Sequence, residues 1–375
     1  MMIESRDKMT AIVCGTPYQL FNALNIIHNT EAESFDVYIF NRFKDAERLT
    51  ECLRTIPAIK NAILINDYQK DCVKGHKLTG FIKNCHSAYI YMRPQNSIKP
   101  YFNDCEDWQY AKQKNRYSRI LAPTPSFFLQ CLEKINNKAV LDYFEDGLLS
   151  YVGNVDSDSA SIERKIFSKL FRVGYNVIQV KSLFVYRPDV CKSTVANRLE
   201  KLTSIDTPFL EFISPIFKTN RERIDSKVIW LTQTAFLPMD KELLSDLQKA
   251  CIKPLIRMHP KDRHIEEYRD LGFNIDNGEE LWEVCLSKLN LNDTVLISMN
   301  STALLTPKLL YNQEPTIVFT YKLYGIIEGF FEEKDRFITA EFIKTIRQLY
   351  SHKERIIVPS TREEFIQFIE SLAID

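Results

Sequence analysis

The residues best suited to chemistry in this sequence follow runs of apolar residues, where strands of a parallel sheet would end. Open parallel sheets bind ligands at the carboxyl ends of their strands, so polar residues at those ends are the first candidates for a site. The segment 143–147, YFEDG, ends such a run with two carboxylates and a glycine. A partly desolvated carboxylate beside a second negative charge has a raised pKa, which suits a general base, although Asp-Gly is also a common turn.

An imidazole stands at the end of a second apolar run, in the segment 257–261, RMHPK. Pro260 fixes the backbone beside His259, and Arg257 and Lys261 place a cation on either side. This setting suits an anionic ligand that gains negative charge as a bond breaks. A single histidine in a loop is also common on protein surfaces, so this segment alone leaves both interpretations open.

Hydroxyl groups gather in the segment 297–303, ISMNSTA, where a predicted strand passes into a predicted helix. The backbone N–H groups of a helix start, together with the hydroxyls of Ser298, Ser301 and Thr302, can hold a phosphate without a glycine-rich loop. Capping of the helix by Ser301 or Thr302 is the ordinary alternative, and it is compatible with phosphate binding.

Carboxylates open the helix before this strand, in the segment 279–284, EELWEV. The carboxylate of Glu280 or Glu283 can accept two hydrogen bonds from a ribose diol, whereas acids in the first turns of a helix also stabilise its dipole. Together, a base, an imidazole, a phosphate cradle and a diol acceptor describe a nucleotide-sugar transferase.

These segments need elements to position them, and the sequence predicts alternating strands and helices. The run TAIVC at 10–14 is closed by Gly15, Thr16 and Pro17, and a helix follows at 18–27. Further strands are predicted at 36–40, 61–65, 88–92, 118–121, 139–144, 176–180, 183–186, 227–231, 255–258, 273–275, 294–297 and 316–319. Further helices are predicted at 45–55, 157–174, 241–250, 265–271, 281–289, 303–311 and 361–372. This alternation indicates α/β layers with parallel sheets.

A change in amino-acid composition at 203–226, with Pro208, Pro215 and a polar cluster, indicates a boundary between two domains. We predict an acceptor-side domain at 1–218, a nucleotide-sugar-binding domain at 219–350 and a helical tail at 351–375. The expected architecture is two Rossmann-like α/β domains facing a central cleft.

The composition of the chain limits the kinds of partner that it can bind. The chain has 375 residues, with 49 basic and 49 acidic side chains, so it lacks the basic surplus that nucleic-acid binding requires. The uncharged stretch 9–30 is too polar and too interrupted for an anchor or signal peptide. Nine cysteines without a CxxC pair indicate reduced thiols in the cytoplasm rather than disulfides or a zinc site. Peripheral contact with the inner face of the membrane and homo-oligomer formation are left open.

The order of these motifs resembles that of bacterial sialyltransferases. The opening segment 14–24, CGTPYQLFNAL, resembles the start of glycosyltransferase family 52, the lipooligosaccharide sialyltransferases. The Glu-Asp-Gly turn, the His-Pro pair and the Ser-Thr pair that follows Glu283 occur in the order of that group. The resemblance extends from Ala11 to about Phe319, and the order and spacing of short motifs carry it.

The resemblance implies the GT-B fold, CMP-sialic acid as donor, no metal and inversion at the anomeric carbon. The implied acceptor is a terminal galactose of lipooligosaccharide or capsule, joined by an alpha-2,3 linkage. His259 would meet the CMP phosphate as acid or electrostatic stabiliser, Ser301 and Thr302 would bind the same phosphate, and Glu283 would hold the ribose. The remaining candidate substrate-binding residues are Glu280, Ser298, Arg257, Pro260, Lys261, Gly15 and Thr16.

The resemblance leaves two candidates for the general base. Asp146 matches the acidic-Asp-Gly motif of several sialyltransferase families, whereas Asp240 is the only carboxylate of the loop 232–240 before His-Pro, where family 52 places its base. We expect one base, not both. A UDP-sugar transferase of the same family, a sugar-nucleotide epimerase and a non-catalytic nucleotide-binding component are the alternative functions.

Overall fold

The computed structural model describes residues 9–31, 33–67, 93–147, 149–152, 179–218, 224, 226–276, 278–328 and 330–372. The chain divides into two compact units, Met1–Thr203 and Ser204–Asp375. The sequence places this division later, after residue 218. The predicted strand at 88–92 and helix at 157–174 lie outside the described residues, as does most of the predicted strand at 176–180.

In the described part of the first unit, seven strands form one parallel sheet in the order β3-β2-β1-β4-β5-β6-β7. They are β1 (Met9–Cys14), β2 (Ser34–Phe40), β3 (Ile59–Ile65), β4 (Arg119–Ala122), β5 (Val140–Phe144), β6 (Val180–Val185) and β7 (Ala196–Lys201). The central strands are near-continuous apolar runs because both faces of a parallel sheet are covered. The sequence does not predict β7, a sheet-edge strand whose charged residues form no apolar run.

Helices connect the strands of the first unit. Those in the described residues are α1 (Pro17–His28), α2 (Ala46–Leu53), α3 (Pro94–Ser97), α4 (Cys105–Ala111), α5 (Phe127–Ile135) and α6 (Leu149–Val152), with 3-10 turns at Lys99–Tyr101 and Pro188–Val190. The start of α1 follows from its sequence. Thr16 caps the helix through its hydroxyl, and Pro17 occupies the first turn, where its missing N–H is no loss.

The described part of the second unit contains a parallel sheet of six strands in the order β10-β9-β8-β11-β12-β13. Its strands are β8 (Val228–Leu231), β9 (Leu255–Arg257), β10 (Asn274–Asp276), β11 (Val295–Ser298), β12 (Thr316–Phe319) and β13 (Ile356–Ile357). Its helices are α7 (Thr207–Ile213), α8 (Pro238–Lys249), α9 (Ile265–Asp270), α10 (Trp282–Cys285), α11 (Thr306–Tyr311), α12 (Glu333–Leu349) and α13 (Arg362–Leu372). Its 3-10 turns are Leu286–Lys288, Leu291–Asp293, Thr302–Leu304, Tyr321–Leu323 and Lys353–Arg355.

Two predicted helices of the second unit are interrupted. The segment predicted as a helix at 281–289 is α10 followed by a 3-10 turn, and the segment 303–311 is a 3-10 turn followed by α11. Pro307 explains the second interruption, because proline is tolerated only in the first turn of a helix and α11 therefore begins at Thr306. The expected helix start at Ser301 is thus the start of a 3-10 turn.

Both sheets reverse their strand order beside their first strand. The chain adds strands on one side of β1 and then continues with β4 on its other side, and it does the same at β8 and β11. In open α/β sheets, ligands bind outside the carboxyl ends of the strands at such a switch point. The residues that follow β1, β8 and β11 therefore define where a site is expected in each unit.

Candidate functional site

In the first unit, the switch point is occupied by the turn that leads from β1 into α1. The hydroxyl oxygen of Thr16 accepts a hydrogen bond from the Gln19 N–H at 3.2 Å. The Gly15 N–H donates to Oε1 of Gln19 at 2.6 Å. Gly15 and Thr16, both predicted to bind substrate, thus hold Gln19, the first at its side chain and the second at its backbone.

Asp146 follows β5 at the same edge of the sheet. Its Oδ1 accepts a hydrogen bond from Nε2 of Gln19 at 2.7 Å, and its N–H donates to the Ser150 hydroxyl at 2.8 Å. Its Oδ2 has no protein partner among the described residues. Burial raises the pKa of Asp146 to about 6, against the lowering effect of the Gln19 hydrogen bond. The carboxylate is therefore held through Oδ1, and no described residue forms a hydrogen bond with Oδ2.

Glu145 is fully buried beside it. Its carboxylate accepts hydrogen bonds from the hydroxyls of Tyr18 at 2.8 Å and Tyr151 at 2.5 Å and from the Tyr186 N–H at 3.0 Å. Burial raises the pKa of Glu145 to about 7, and the charge of Asp146 adds to the rise. The two carboxylates of the YFEDG segment therefore differ, because donors occupy both oxygens of Glu145, whereas the described residues supply a donor to only one oxygen of Asp146.

In the second unit, a hydrogen bond crosses the switch point. Nε2 of Gln233, just beyond β8, donates to the hydroxyl of Ser298 at the end of β11, at 2.9 Å. The Ser298 hydroxyl donates in turn to the Leu231 carbonyl at 2.8 Å, and Ser298 is fully buried. Ser298, predicted to bind substrate, joins the ends of the two strands in this structure.

His259 follows β9, the other neighbour of β8, and its ring has one defined tautomer. The backbone N–H of His259 donates to the Thr232 hydroxyl at 2.8 Å. The ring Nδ1 accepts from the backbone N–H of Lys261 at 3.1 Å. Because Nδ1 acts as the acceptor, the ring proton is on Nε2. Burial, followed by the nearby Lys261, lowers the pKa of His259, although Asp262 opposes this effect. The result is a neutral imidazole whose Nε2–H is available as a donor.

The loop after His259 contains further polar residues that sequence reasoning missed. Asp262 has a fully buried side chain and accepts at Oδ1 from both the N–H of His264, at 3.0 Å, and its ring Nδ1, at 2.8 Å. The Tyr268 hydroxyl contacts the other oxygen at 3.4 Å. The Asp-x-His spacing was the only sequence signal for this pair. Pro260 and Lys261, both predicted to bind substrate, lie exposed beside it.

Arg257 and Glu280 are engaged in ion pairs. The buried Arg257 donates to Asp276 at 2.5 Å and to the backbone carbonyl of Glu280. The Glu280 carboxylate pairs with Lys288. Both side chains, predicted to bind substrate, therefore have protein partners that fix the end of β9 against the segment before α10.

Glu283 is a buried carboxylate in the first turn of α10. Burial raises its pKa to about 7, which the nearby Arg257 partly counters. Its carbonyl accepts a hydrogen bond from the Tyr311 hydroxyl at 2.7 Å. Glu283 is therefore a buried carboxylate near the Arg257 cation, in the unit that contains His259.

The predicted phosphate cradle is a 3-10 turn. Ser301 caps it by accepting from the Ala303 N–H at 3.2 Å, and Thr302 is exposed. The indole N–H of Trp282 donates to the Ala303 carbonyl at 3.0 Å and to the Thr306 hydroxyl at 3.1 Å. The turn is therefore tied to α10, the helix that carries Glu283.

Asp240 has both carboxylate oxygens occupied. Oδ2 accepts from the Leu237 N–H at 2.7 Å and caps α8, and Oδ1 accepts from the Tyr324 hydroxyl at 2.5 Å. Burial raises its pKa to about 6. Among the described residues, Oδ2 of Asp146 has no partner, whereas Asp240 caps α8 and accepts from Tyr324.

The described ranges contain neither a cluster of metal-binding side chains nor a membrane-spanning helix. No cluster of three or more His, Cys, Asp or Glu side chains could hold a metal ion there. No helix in that part of the chain is both long enough and apolar enough to cross a membrane.

Comparison with known proteins shows the fold. No protein-family model matches the sequence, and no curated protein matches it. The calicheamicin glycosyltransferase CalG4 matches 99% of this chain and 91% of its own, with a TM-score of 0.51 and 9% identity. The structure of LpCGTa in complex with UDP matches 98% of this chain and 91% of its own, with a TM-score of 0.50 and 10% identity. The two parallel-sheet α/β units therefore have the fold of GT-B glycosyltransferases, as predicted.

Proposed function

We propose that this chain is an inverting glycosyltransferase that transfers sialic acid from CMP-sialic acid to a terminal galactose of a bacterial surface glycan, lipooligosaccharide or capsule, through an alpha-2,3 linkage. The observation that carries the proposal is the environment of His259. Its Nδ1 accepts from a backbone N–H, its own backbone N–H donates to Thr232 at the end of β8, and its Nε2–H is left as a donor. The GT-B fold and the sequence resemblance support it.

On the donor side, the reaction breaks the bond between sialic acid and the CMP phosphate. Negative charge then develops on the phosphate, and a preorganised donor lowers the barrier because it interacts most strongly with that charge. The Nε2–H of His259 supplies such a donor, with Ser301, Thr302 and Lys261 as further contacts. Glu283 accepts the hydrogen bonds of the ribose. These donors make a metal unnecessary in this mechanism, and we expect EDTA to leave the rate unchanged.

On the acceptor side, Asp146 acts as the base. It takes the proton of the galactose hydroxyl as the oxygen attacks the anomeric carbon from the face opposite CMP, which inverts the configuration. A pKa of about 6 leaves the carboxylate ionised at neutral pH, and Oδ2 is free of protein partners within the described residues. Asp240 lacks a free oxygen, because Oδ2 caps α8 and Oδ1 accepts from the Tyr324 hydroxyl.

The test incubates the purified chain with CMP-sialic acid and a panel of labelled galactosides and identifies the products by mass and linkage. We expect a sialylated galactoside, release of CMP and strong loss of product in His259→Ala. His352→Ala, at an exposed histidine of the same unit, is the matched control and should keep full activity. Absence of sialyl transfer with every galactoside would overturn the proposal.

A UDP-sugar donor is the second candidate, because the matched LpCGTa structure holds UDP. The same ribose acceptor, Glu283, would serve either nucleotide. Titration with CMP and UDP separates the two, since sialyl transfer requires that CMP binds more tightly. Nucleotide binding without transfer from either donor class would indicate a non-catalytic component instead.

We place the protein in the cytoplasm, where nucleotide sugars are available, with access to lipid-linked acceptors at the inner face of the membrane.

A further inference from the structure

Two consecutive residues of α1 contact two consecutive carboxylates. Tyr18 donates to Glu145 at 2.8 Å, and Gln19 donates to Asp146 at 2.7 Å. The carboxylates follow β5, which is separated from β1 by β4 in the sheet. The first turn of α1 therefore reaches past β4 at the carboxyl edge of the sheet, and its side chains determine how the Glu-Asp pair is held.

The orientation of the Gln19 amide follows from its neighbours. The Gly15 N–H can only donate, so the amide oxygen must face it, at 2.6 Å. The amide NH₂ consequently faces Asp146 and donates to Oδ1. Gln19 is itself buried, and its N–H is fixed by the Thr16 hydroxyl, so this arrangement leaves the amide no alternative partner of equal quality.

We infer that Gln19 is a positioning residue for Asp146: its amide orients the carboxylate through Oδ1, favours the ionised form and leaves Oδ2 directed to the acceptor hydroxyl. This role rests on the proposed function, in which Asp146 is the base. A hydrogen bond from a neutral donor is stronger to a carboxylate than to a carboxylic acid. Gln19 therefore opposes the effect of burial, which favours the protonated form. The role also gives a function to Gly15 and Thr16 in the segment GTPYQ. Both residues hold Gln19, and Gln19 in turn orients Asp146.

Two substitutions of Gln19 test this role. Gln19→Leu removes the donor, and Gln19→Glu retains an acceptor for the Gly15 N–H but replaces the donor with a negative charge. Each should raise the pKa of Asp146, the second more than the first, because it adds like-charge repulsion. Loss of a hydrogen bond to a charged group corresponds to about one to two pKa units. The pH midpoint of the acid limb of the kcat/KM profile should rise by the same amount. The plateau value of kcat should fall.

Asn25→Leu is the matched control. Asn25 is a buried amide on the same helix that donates to Tyr186 and to the Thr203 carbonyl and does not contact Asp146. It should reduce thermal stability as Gln19→Leu does, with no change in the acid limb. A merely structural role for Gln19 predicts equal behaviour of the two variants.

A direct titration separates this inference from the proposed function. The carboxyl carbon of Asp146 is followed by NMR in protein labelled at aspartate, with Asp146→Asn to assign the signal. An upward shift of its pKa in both Gln19 variants, but not in Asn25→Leu, is the expected result. An unchanged titration in both Gln19 variants overturns the inference even if transfer is observed. Absence of transfer in the unmodified chain would instead overturn the proposed function, while the titration still reports on Gln19.

Discussion

Gln233 and Ser298 join the two central strands of the second sheet through a hydrogen bond of 2.9 Å. The bond lies where β8 and β11 end, at the switch point of this sheet. The Ser298 hydroxyl is also the donor to the Leu231 carbonyl. A hydroxyl that contacts two protein groups in a fully buried position stabilises this edge of the sheet.

Ser298→Ala should therefore act on stability. It removes the acceptor of the half-buried Gln233 amide and the hydroxyl that donates to the buried Leu231 carbonyl, and an unpaired buried group costs about 1 to 3 kcal/mol. Urea denaturation measures this loss in the free energy of unfolding. Thr302→Ala, at an exposed hydroxyl of the same segment, is the control and should change stability by less than about 0.5 kcal/mol. Equal midpoints for the two variants would show that the contact contributes nothing.

The two candidate bases should respond differently to loss of charge. Asp146→Asn should reduce kcat by about a hundredfold to ten thousandfold, because it removes the proton acceptor. Asp240→Asn should keep most of the transfer and lose about 1 kcal/mol of stability, because Asp240 caps α8 and accepts from Tyr324. Measurements of kcat and of the free energy of unfolding for both variants decide which carboxylate is the base. Loss of transfer in Asp240→Asn at unchanged stability would identify Asp240 as the base.

The alternation of strands and helices could be predicted because each central strand is an apolar run closed by turn residues. Such local patterns predicted β1, β5, β8 and β11 within about two residues. Strand β7 was missed since its edge position allows charged side chains. The helix start at Ser301 was wrong because α11 begins only at Thr306, so that Pro307 lies in its first turn.

The candidate site was predictable only where a short motif carries it. His259 and Asp146 stand beside recognisable neighbours in the sequence. Gln19 and Gln233 do not, because their importance arises from contacts with Asp146 and Ser298, which are distant in the chain. Such pairings depend on which strands are adjacent, and neither residue type nor spacing records that order.

Acid stability should report the environment of His259. Its pKa in the folded chain lies below the ordinary 6.5, so the unfolded chain binds more protons between the two values. This contribution therefore weakens the fold as pH falls below 6.5. His259→Asn removes it, so the difference in unfolding free energy between the variant and the unmodified chain should shift in favour of the variant from pH 7.5 to pH 5. A constant difference over this range would show that the imidazole is not desolvated.

Glu283 should affect stability and nucleotide binding in opposite directions. Its folded pKa of about 7 exceeds the usual 4.5, so its contribution favours the fold below pH 4.5 and is lost as pH rises through 7. Glu283→Gln removes this loss and should raise the unfolding free energy at pH 8 by on the order of 2 to 3 kcal/mol. The same change removes one acceptor for the ribose and should weaken CMP binding about tenfold, or about 1.4 kcal/mol.

Glu280→Gln provides the contrast, because Glu280 pairs with Lys288 and its loss breaks an ion pair. This variant should be less stable than the unmodified chain at pH 8, whereas Glu283→Gln should be more stable. Denaturation at pH 5 and pH 8 and calorimetric titration with CMP measure both effects. A Glu283→Gln chain that is more stable at pH 8 yet binds CMP unchanged would separate the buried carboxylate from the ribose site, and the diol acceptor would then have to be sought elsewhere in the second unit.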